Sequence, residues 1–154
     1  MSMKSISKIL IPVDFSECSR QAIDYGMFMA DSFNATMELL HATPPPSYIP
    51  LDKMIWGEKE RQEHSIESYL HKAAKDEMQK FLQTFDEQHR QRLQPRVMVG
   101  EPTGAIVAAA KEDAVDLIVM GTHGRQGAAH VFMGSVAERV VRQAPCPVLT
   151  VRAS

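Results

Sequence analysis

The sequence predicts an α/β fold built on an open, five-stranded parallel sheet of order 3-2-1-4-5, with helices on both faces. Three observations carry that expectation. Five short runs rich in Ile, Leu and Val, at residues 8–13, 36–42, 95–99, 116–120 and 148–151, have the apolar character of strands covered on both sides. Between them lie segments whose small and apolar residues recur at helical spacing. The two kinds of segment alternate along the chain, which implies parallel strands joined by right-handed crossovers. At 154 residues the chain is long enough to bury a full core and is read as a single domain over 1–154.

Taken in order, residues 8–13 (KILIPV) form the first strand, with Pro12 near its end, where a ladder can finish. Asp14, Phe15 and Ser16 turn the chain, and Ser16 suits a helix N-cap with Glu17 in the first turn. Ala22, Ile23, Gly26, Met29, Ala30 and Phe33 make one helical stripe, closed by Asn34 and Ala35 before the second strand, TMELLHA. Residues 43–60 break the rhythm: Pro44, Pro45, Pro46 and Pro50 exclude a helix, and Met54, Ile55 and Trp56 form an apolar cluster. This Pro-rich connection reads either as a lid or contact surface, or as a loop whose Trp56 tucks onto the body.

Residues 61–91 read as the longest helix, with Ile66, Leu70, Ala73, Ala74, Met78, Phe81, Leu82 and Phe85 on one face. His64 and His71 stand seven apart with no third ligand nearby and read as surface histidines. PRVMV at 95–99 is the third strand; Pro102 opens a helix with Ile106, Ala109 and Ala110 inward; residues 116–120 (DLIVM) form the fourth strand. Val136, Ala137, Val140, Val141 and Ala144 give the last helix its stripe, ended by Pro145 and Pro147 before the strand VLTV.

Composition excludes several functions. The chain is 44% hydrophobic and 23% charged with a net charge of −2, so it has no basic footprint for nucleic acid. No apolar run approaches a membrane span, and residues 9–13 are too short for a signal sequence. Cys18 and Cys146 make neither a metal-spacing motif nor a disulfide framework, so reduced thiols and a cytoplasmic location are expected.

Residues 120–136, MGTHGRQGAAHVFMGSV, carry the candidate chemistry. Gly121 stands where a strand ends, and the pair Gly134-Ser135 opens a helix. Such a helix start offers unpaired N–H groups, a hydroxyl and the positive end of the helix dipole, which suits a phosphate. The alternative is that Gly121 and Gly134 only serve a turn and a cap. In a sheet of this order the ligand crevice opens between the first and fourth strands, bringing Pro12, Val13 and Asp14 against Met120 and Gly121. No phosphate-binding loop with its lysine, kinase catalytic loop or nucleophile elbow is present, so binding is better supported than catalysis.

The segments KILIPVDFSECSRQAI, LLHA, VGEP, DLIVMGTHGR and GSVAERVVRQAPCPVLTVR resemble the universal stress protein family, in its small, single-domain, ATP-binding form. Gly121, Gly124, Gly134 and Ser135 fit the family spacing of Gly, two residues, Gly, nine residues, then Gly and Ser or Thr. The resemblance implies a Rossmann-like fold, similar to adenine nucleotide alpha hydrolases, holding ATP, ADP or another adenine nucleotide with Mg²⁺ bound through the phosphates. By position, Pro12, Val13 and Ala42 would line the adenine, with backbone groups of Val13 or Ala42 reading the ring. Met120 would fill the space beside the small Ala42. Asp14 would sit near the ribose or the Mg²⁺, or else stabilise its turn. Gly121 would admit the sugar, and Gly124, Gly134, Ser135 and Val136 would surround the phosphates. His123 is either a phosphate contact or a loop brace; Arg125 is either a phosphate partner or solvated.

The resemblance also implies a homodimer through antiparallel pairing of Val148, Leu149, Thr150 and Val151, and an unidentified regulatory partner. The function implied is a nucleotide-dependent regulatory or stress-response protein. A slow Mg-dependent ATPase or phosphotransferase, and a dimeric interaction module with a vestigial site, remain as alternatives.

Overall fold

Branched side chains at Ile9 and Ile11, with Leu10 between them, leave no polar face for a surface strand, and all three are fully buried in β1 (Lys8–Pro12). The structure, a computed structural model, describes residues 4–47, 65–123 and 133–153. After β1 follow α1 (Glu17–Phe33), β2 (Thr36–Thr43), α2 (Ile66–Leu82), α3 (Glu87–Arg92), β3 (Leu93–Val99), α4 (Pro102–Glu112), β4 (Leu117–Gly121), α5 (Ser135–Gln143) and β5 (Val148–Val151). Every strand pairing is parallel and the order is β3-β2-β1-β4-β5, as the alternation predicts.

Right-handed crossovers in this order put α1 and α2 on one face and α4 and α5 on the other. The side chains divide accordingly. Ile9, Ile11, Leu39 and Val119 pack with Ala22, Ile23, Met78 and Phe81 from α1 and α2. Leu10, Leu40, Ile118 and Met120 pack with Ile106, Ala109, Ala137 and Val140 from α4 and α5.

Three expectations change. The helix expected across 61–91 is, in its described part, two: α2 ends at Leu82 and α3 begins at Glu87. Thr84 Oγ1 donates to the Phe81 carbonyl and accepts from the Arg20 guanidinium, while Asp86 caps the N–H of His89, so local side chains take over the backbone groups at the break. Phe85 folds back onto Phe81 with ring centroids 5.3 Å apart. The third strand begins at Leu93, two residues before Pro95, and tolerates the proline because β3 is an edge strand. The helical stripes also shift: Phe33 of α1, Ala73 of α2 and Val141 of α5 are exposed, and Met27, outside the expected α1 stripe, is buried. The expectations for Pro50, Met54, Ile55, Trp56 and His64 lie outside the described residues.

Candidate functional site

The register sets the floor of the crevice. Pro12 is level with Leu40 of β2, and the β1–β4 ladder, Ile9 with Leu117 and Leu10 with Ile118, continues to bring Pro12 level with Met120. Alternation along the strands turns Pro12 to the face of Leu10, and Ala42 to the face of Leu40. Pro12, Ala42 and Met120 therefore share the α4/α5 face, at the carboxyl ends of the strands where the winding reverses. The first turns of α4 and α5 wall that space.

The start of α5 differs from the other helix starts. Ser16, Ser65, Asp86 and Glu101 each cap their helix through a side chain, but α5 begins at Gly134 with no side-chain cap hydrogen bond. The Glu138 N–H is the first to bond back, to the Gly134 carbonyl at 3.0 Å. The amides of Ser135, Val136 and Ala137 thus have no intrahelical acceptor, and they stand at the positive end of the dipole. Ser135 is exposed. The Gly134 N–H donates to the Thr122 carbonyl at 2.5 Å, and a Cβ on Gly134 would lie 3.0 Å from that oxygen. Glycine lets the helix start approach the end of β4 this closely. Gly124 and Arg125, with Gly127 and His130, lie outside the described residues.

At the turn after β1, Asp14 is engaged with α1. Its Oδ1 accepts from the Ser16 N–H at 3.1 Å and the Ser19 hydroxyl at 2.8 Å, and its own N–H donates to Ser19 Oγ at 3.0 Å. This is the turn-stabilising role. Phe15 follows in the left-handed region, φ 66°, with its ring 4.3 Å from that of His41 and 5.3 Å from that of Phe81. His41 Nδ1 lies 2.8 Å from the Val13 carbonyl oxygen, and its Nε2 lies 3.1 Å from Thr43 Oγ1. The Val13 N–H already donates to the Leu40 carbonyl at 2.9 Å. Both backbone groups of Val13 thus have protein partners, which leaves less of it to read a base than the sequence suggests.

Gly121 has a packing role. A Cβ there would sit 2.5 Å from Cys18 Sγ, on the α1 side of the sheet. Cys18 is buried and its thiol donates to the Val151 carbonyl at 3.3 Å, tying α1 to the end of β5. His123 Nδ1 lies 2.9 Å from Thr122 Oγ1, a bond within its own loop. Burial, with the Asp116 charge second, pushes the Cys146 thiol up. Sequence reasoning missed His41 and Thr122. A histidine ending an otherwise apolar strand run was the available signal for the first. Among the described residues no three His, Cys, Asp or Glu side chains are grouped to hold a metal ion, and no helix is long and apolar enough to cross a membrane.

Comparison with known proteins agrees with this architecture. The family model described as Universal stress protein family matches residues 5–152. Universal stress protein MJ0531 of Methanocaldococcus jannaschii is 32% identical over 146 residues, covering 94% of this chain and 81% of its own. The solved universal stress protein UspA from Lactobacillus plantarum aligns with a TM-score of 0.74 at 25% identity, over 97% of this chain and 100% of that one. A universal stress protein solved in complex with cAMP aligns with a TM-score of 0.66 at 22% identity, over 98% and 100%. With the family model matching from residue 5 to residue 152, the chain belongs to the universal stress protein family.

Proposed function

We propose that the chain binds an adenine nucleotide, ATP foremost, in the crevice between the ends of β1 and β4, and acts as a nucleotide-dependent regulatory protein in a stress response. The observation that carries this reading is the α5 start, which lacks the side-chain cap found on the other described helices. Three amides and the Ser135 hydroxyl there suit a phosphate chain. Pro12, Ala42 and Met120 form an apolar floor beside them, and Gly124 and Arg125 belong to the segment that would complete the phosphate site. Support comes also from the glycine spacing at Gly121, Gly124 and Gly134, and from a protein of the same fold solved with cAMP.

Mg²⁺ would be held through the phosphates and would keep much of its water, with the Asp14 carboxylate the candidate protein oxygen beside it. Any hydrolysis is slow. The chain works as one domain in the cytoplasm, and as a homodimer through β5, an edge strand of the sheet. Val151 is already buried in its own chain, so pairing there draws on backbone groups and on the half-buried Val148, Leu149 and Thr150.

The test is Ser135→Pro. Proline is accepted at the first helical position, and Gly134, at φ −68° and ψ 159°, already has the extended conformation a residue before proline needs. The variant loses one amide and the hydroxyl. Its unliganded stability should stay within about 0.5 kcal/mol of wild type, while its affinity for Mg-ATP falls at least about tenfold, the scale of one or two charge-assisted hydrogen bonds. A wild-type melting point that Mg-ATP does not raise, or an equal rise in Ser135→Pro, overturns the proposal.

A further inference from the structure

Exposed apolar side chains scattered singly need no explanation, but here they gather beside one edge of the sheet. Among the described residues the large ones left exposed are Tyr25, Phe28, Phe33, Tyr69 and Val141. All but Tyr69 lie on α1 and α5, the helices packed on β5 from its two faces. Phe28 is 68% exposed and Tyr25 55%, so neither ring is used by its own core.

Helical geometry gives their direction. The Cys18 thiol donates to the Val151 carbonyl of β5, while the Arg20 guanidinium stacks over Phe81 of α2 and over Phe85. Cys18 and Arg20 lie about 200° apart around α1 and so mark its β5 side and its α2 side. Tyr25 falls about 20° from Cys18, hence on the β5 side. Gly26, which abuts Ile11 of β1, lies about 80° from Cys18 on the inward side, and Phe28 about 80° on the outward side. Charge is segregated in the same way. Arg20, Asp24 and Asp31 form a stripe on the α2 side, where Asp31 pairs with Arg92 at 2.7 Å; Gln21, Tyr25, Phe28 and Ser32, toward β5, carry none. In α5, the Gly104 N–H first, then Thr103 and the Arg139 charge, hold the Glu101 carboxyl below its usual range, which places Arg139 on the side of α4. Val141 lies about 200° from Arg139 around the helix and faces the open edge.

The carbonyls of Pro147 and Val151 accept from Ile118 and Thr122 of β4 at 3.0 and 2.9 Å, so Val148 and Thr150 turn their backbone groups to the open side. Antiparallel pairing of β5 with its own copy sets a two-fold axis perpendicular to the sheet. That axis puts two copies of α1 side by side on one face and two copies of α5 on the other. Leu149, packed with the α1 core, floors the first groove, and Val148, packed with the α5 core, floors the second. A strand of four residues supplies little of the roughly 20–30 residues a side that a specific interface uses, so such a dimer needs flanking surface. The axis sets each patch against itself, and an uncharged stripe meets its copy without repulsion. We propose that Tyr25 and Phe28 of α1, with Val141 of α5, form a docking surface for a second copy of this chain, the two α1 helices meeting above Leu149. This rests on the β5 pairing proposed above and adds the side chains that hold it.

The experiment follows the monomer–dimer equilibrium by analytical ultracentrifugation for wild type, Tyr25→Glu, Phe28→Glu, Tyr69→Glu and Thr150→Pro. Wild type should be dimeric at about 10 µM. Tyr25→Glu and Phe28→Glu each enter the interface twice and should raise the dimer Kd at least about tenfold. Their circular dichroism should match wild type, because both side chains are exposed. Tyr69→Glu changes an exposed aromatic on α2, which packs on β2 and β3 at the far side of the sheet, and should leave the Kd within about twofold. Thr150→Pro removes an amide from the open edge, where proline is tolerated, and should also weaken the dimer. If a glutamate variant fails to fold, Tyr25→Gln or Phe28→Gln takes its place, with an expected loss of about fivefold.

Wild-type dimerisation in either Tyr25→Glu or Phe28→Glu, with the Thr150→Pro dimer weakened, overturns the proposal and leaves the β5 pairing standing. An equal loss in Tyr69→Glu also overturns it, since the effect would then be one of added charge in general. A monomeric wild type, or a dimer that Thr150→Pro leaves intact, overturns both.

Discussion

At the amino end of the sheet, the Asp116 carboxylate accepts from the Ser7 N–H at 3.0 Å, the Ser7 hydroxyl at 2.8 Å and the Lys8 N–H at 3.1 Å, and it pairs with Lys4 at 3.3 Å. At the carboxyl end, α5 begins without a side-chain cap, and its first three amides have no intrahelical acceptor. The sheet and the crossovers are common to both ends. One end uses its polar groups to join the start of β1 to the start of β4; the other leaves the first amides of α5 without a protein cap. The Ser7 N–H first, then its hydroxyl, with help from Lys8 and Lys4 and against the effect of burial, holds the Asp116 carboxyl down to about 2.

The largest expected effect is therefore at the amino end. Asp116→Ala should cost about 2–3 kcal/mol in urea unfolding, with nucleotide affinity unchanged; a parallel loss of affinity would mean that the two ends are coupled. The sign with pH follows from the depressed value. Asp116 contributes its full stability above 3.8, the ordinary value, and that contribution is lost as pH falls through about 2. Acid unfolding of Asp116→Ala should lack that component.

A smaller effect tests whether the whole carboxyl end is reserved for ligand. Gly121→Ala drives a Cβ against Cys18 and should cost about 1–2 kcal/mol; adding Cys18→Ala should recover part of it, so the double variant is less destabilised than the sum of the singles. Additive costs would remove the packing role assigned to Gly121. The smallest effect is expected at Lys4, whose side chain is 83% exposed: Lys4→Ala should change stability by less than about 0.5 kcal/mol. A greater loss would show that the ion pair, and not the Ser7 and Lys8 donors, holds Asp116.

Strand positions were legible because each run is continuously apolar, and the parallel order followed from the alternation of strands and helices. The glycine spacing picked out residues 121–134, and Gly134 does begin α5 against the end of β4. The break at Gln83–Asp86 was not legible. The apolar spacing of Phe81, Leu82 and Phe85 is compatible with one unbroken helix, and only Arg20, from α1, arrives to stack over Phe81 and Phe85 and bond Thr84.

The order of side chains along the chain determined the strands, the winding of the sheet and the edge at which that winding reverses, because periodicity and turn chemistry are local and additive. Tertiary structure alone decided which polar groups are occupied. His41 on the Val13 carbonyl, Cys18 beneath Gly121 and Asp116 on Ser7 each depend on a register between segments distant in sequence. A hydrogen bond is made or missed over a few tenths of an ångström, a tolerance that a pattern of residue types does not encode.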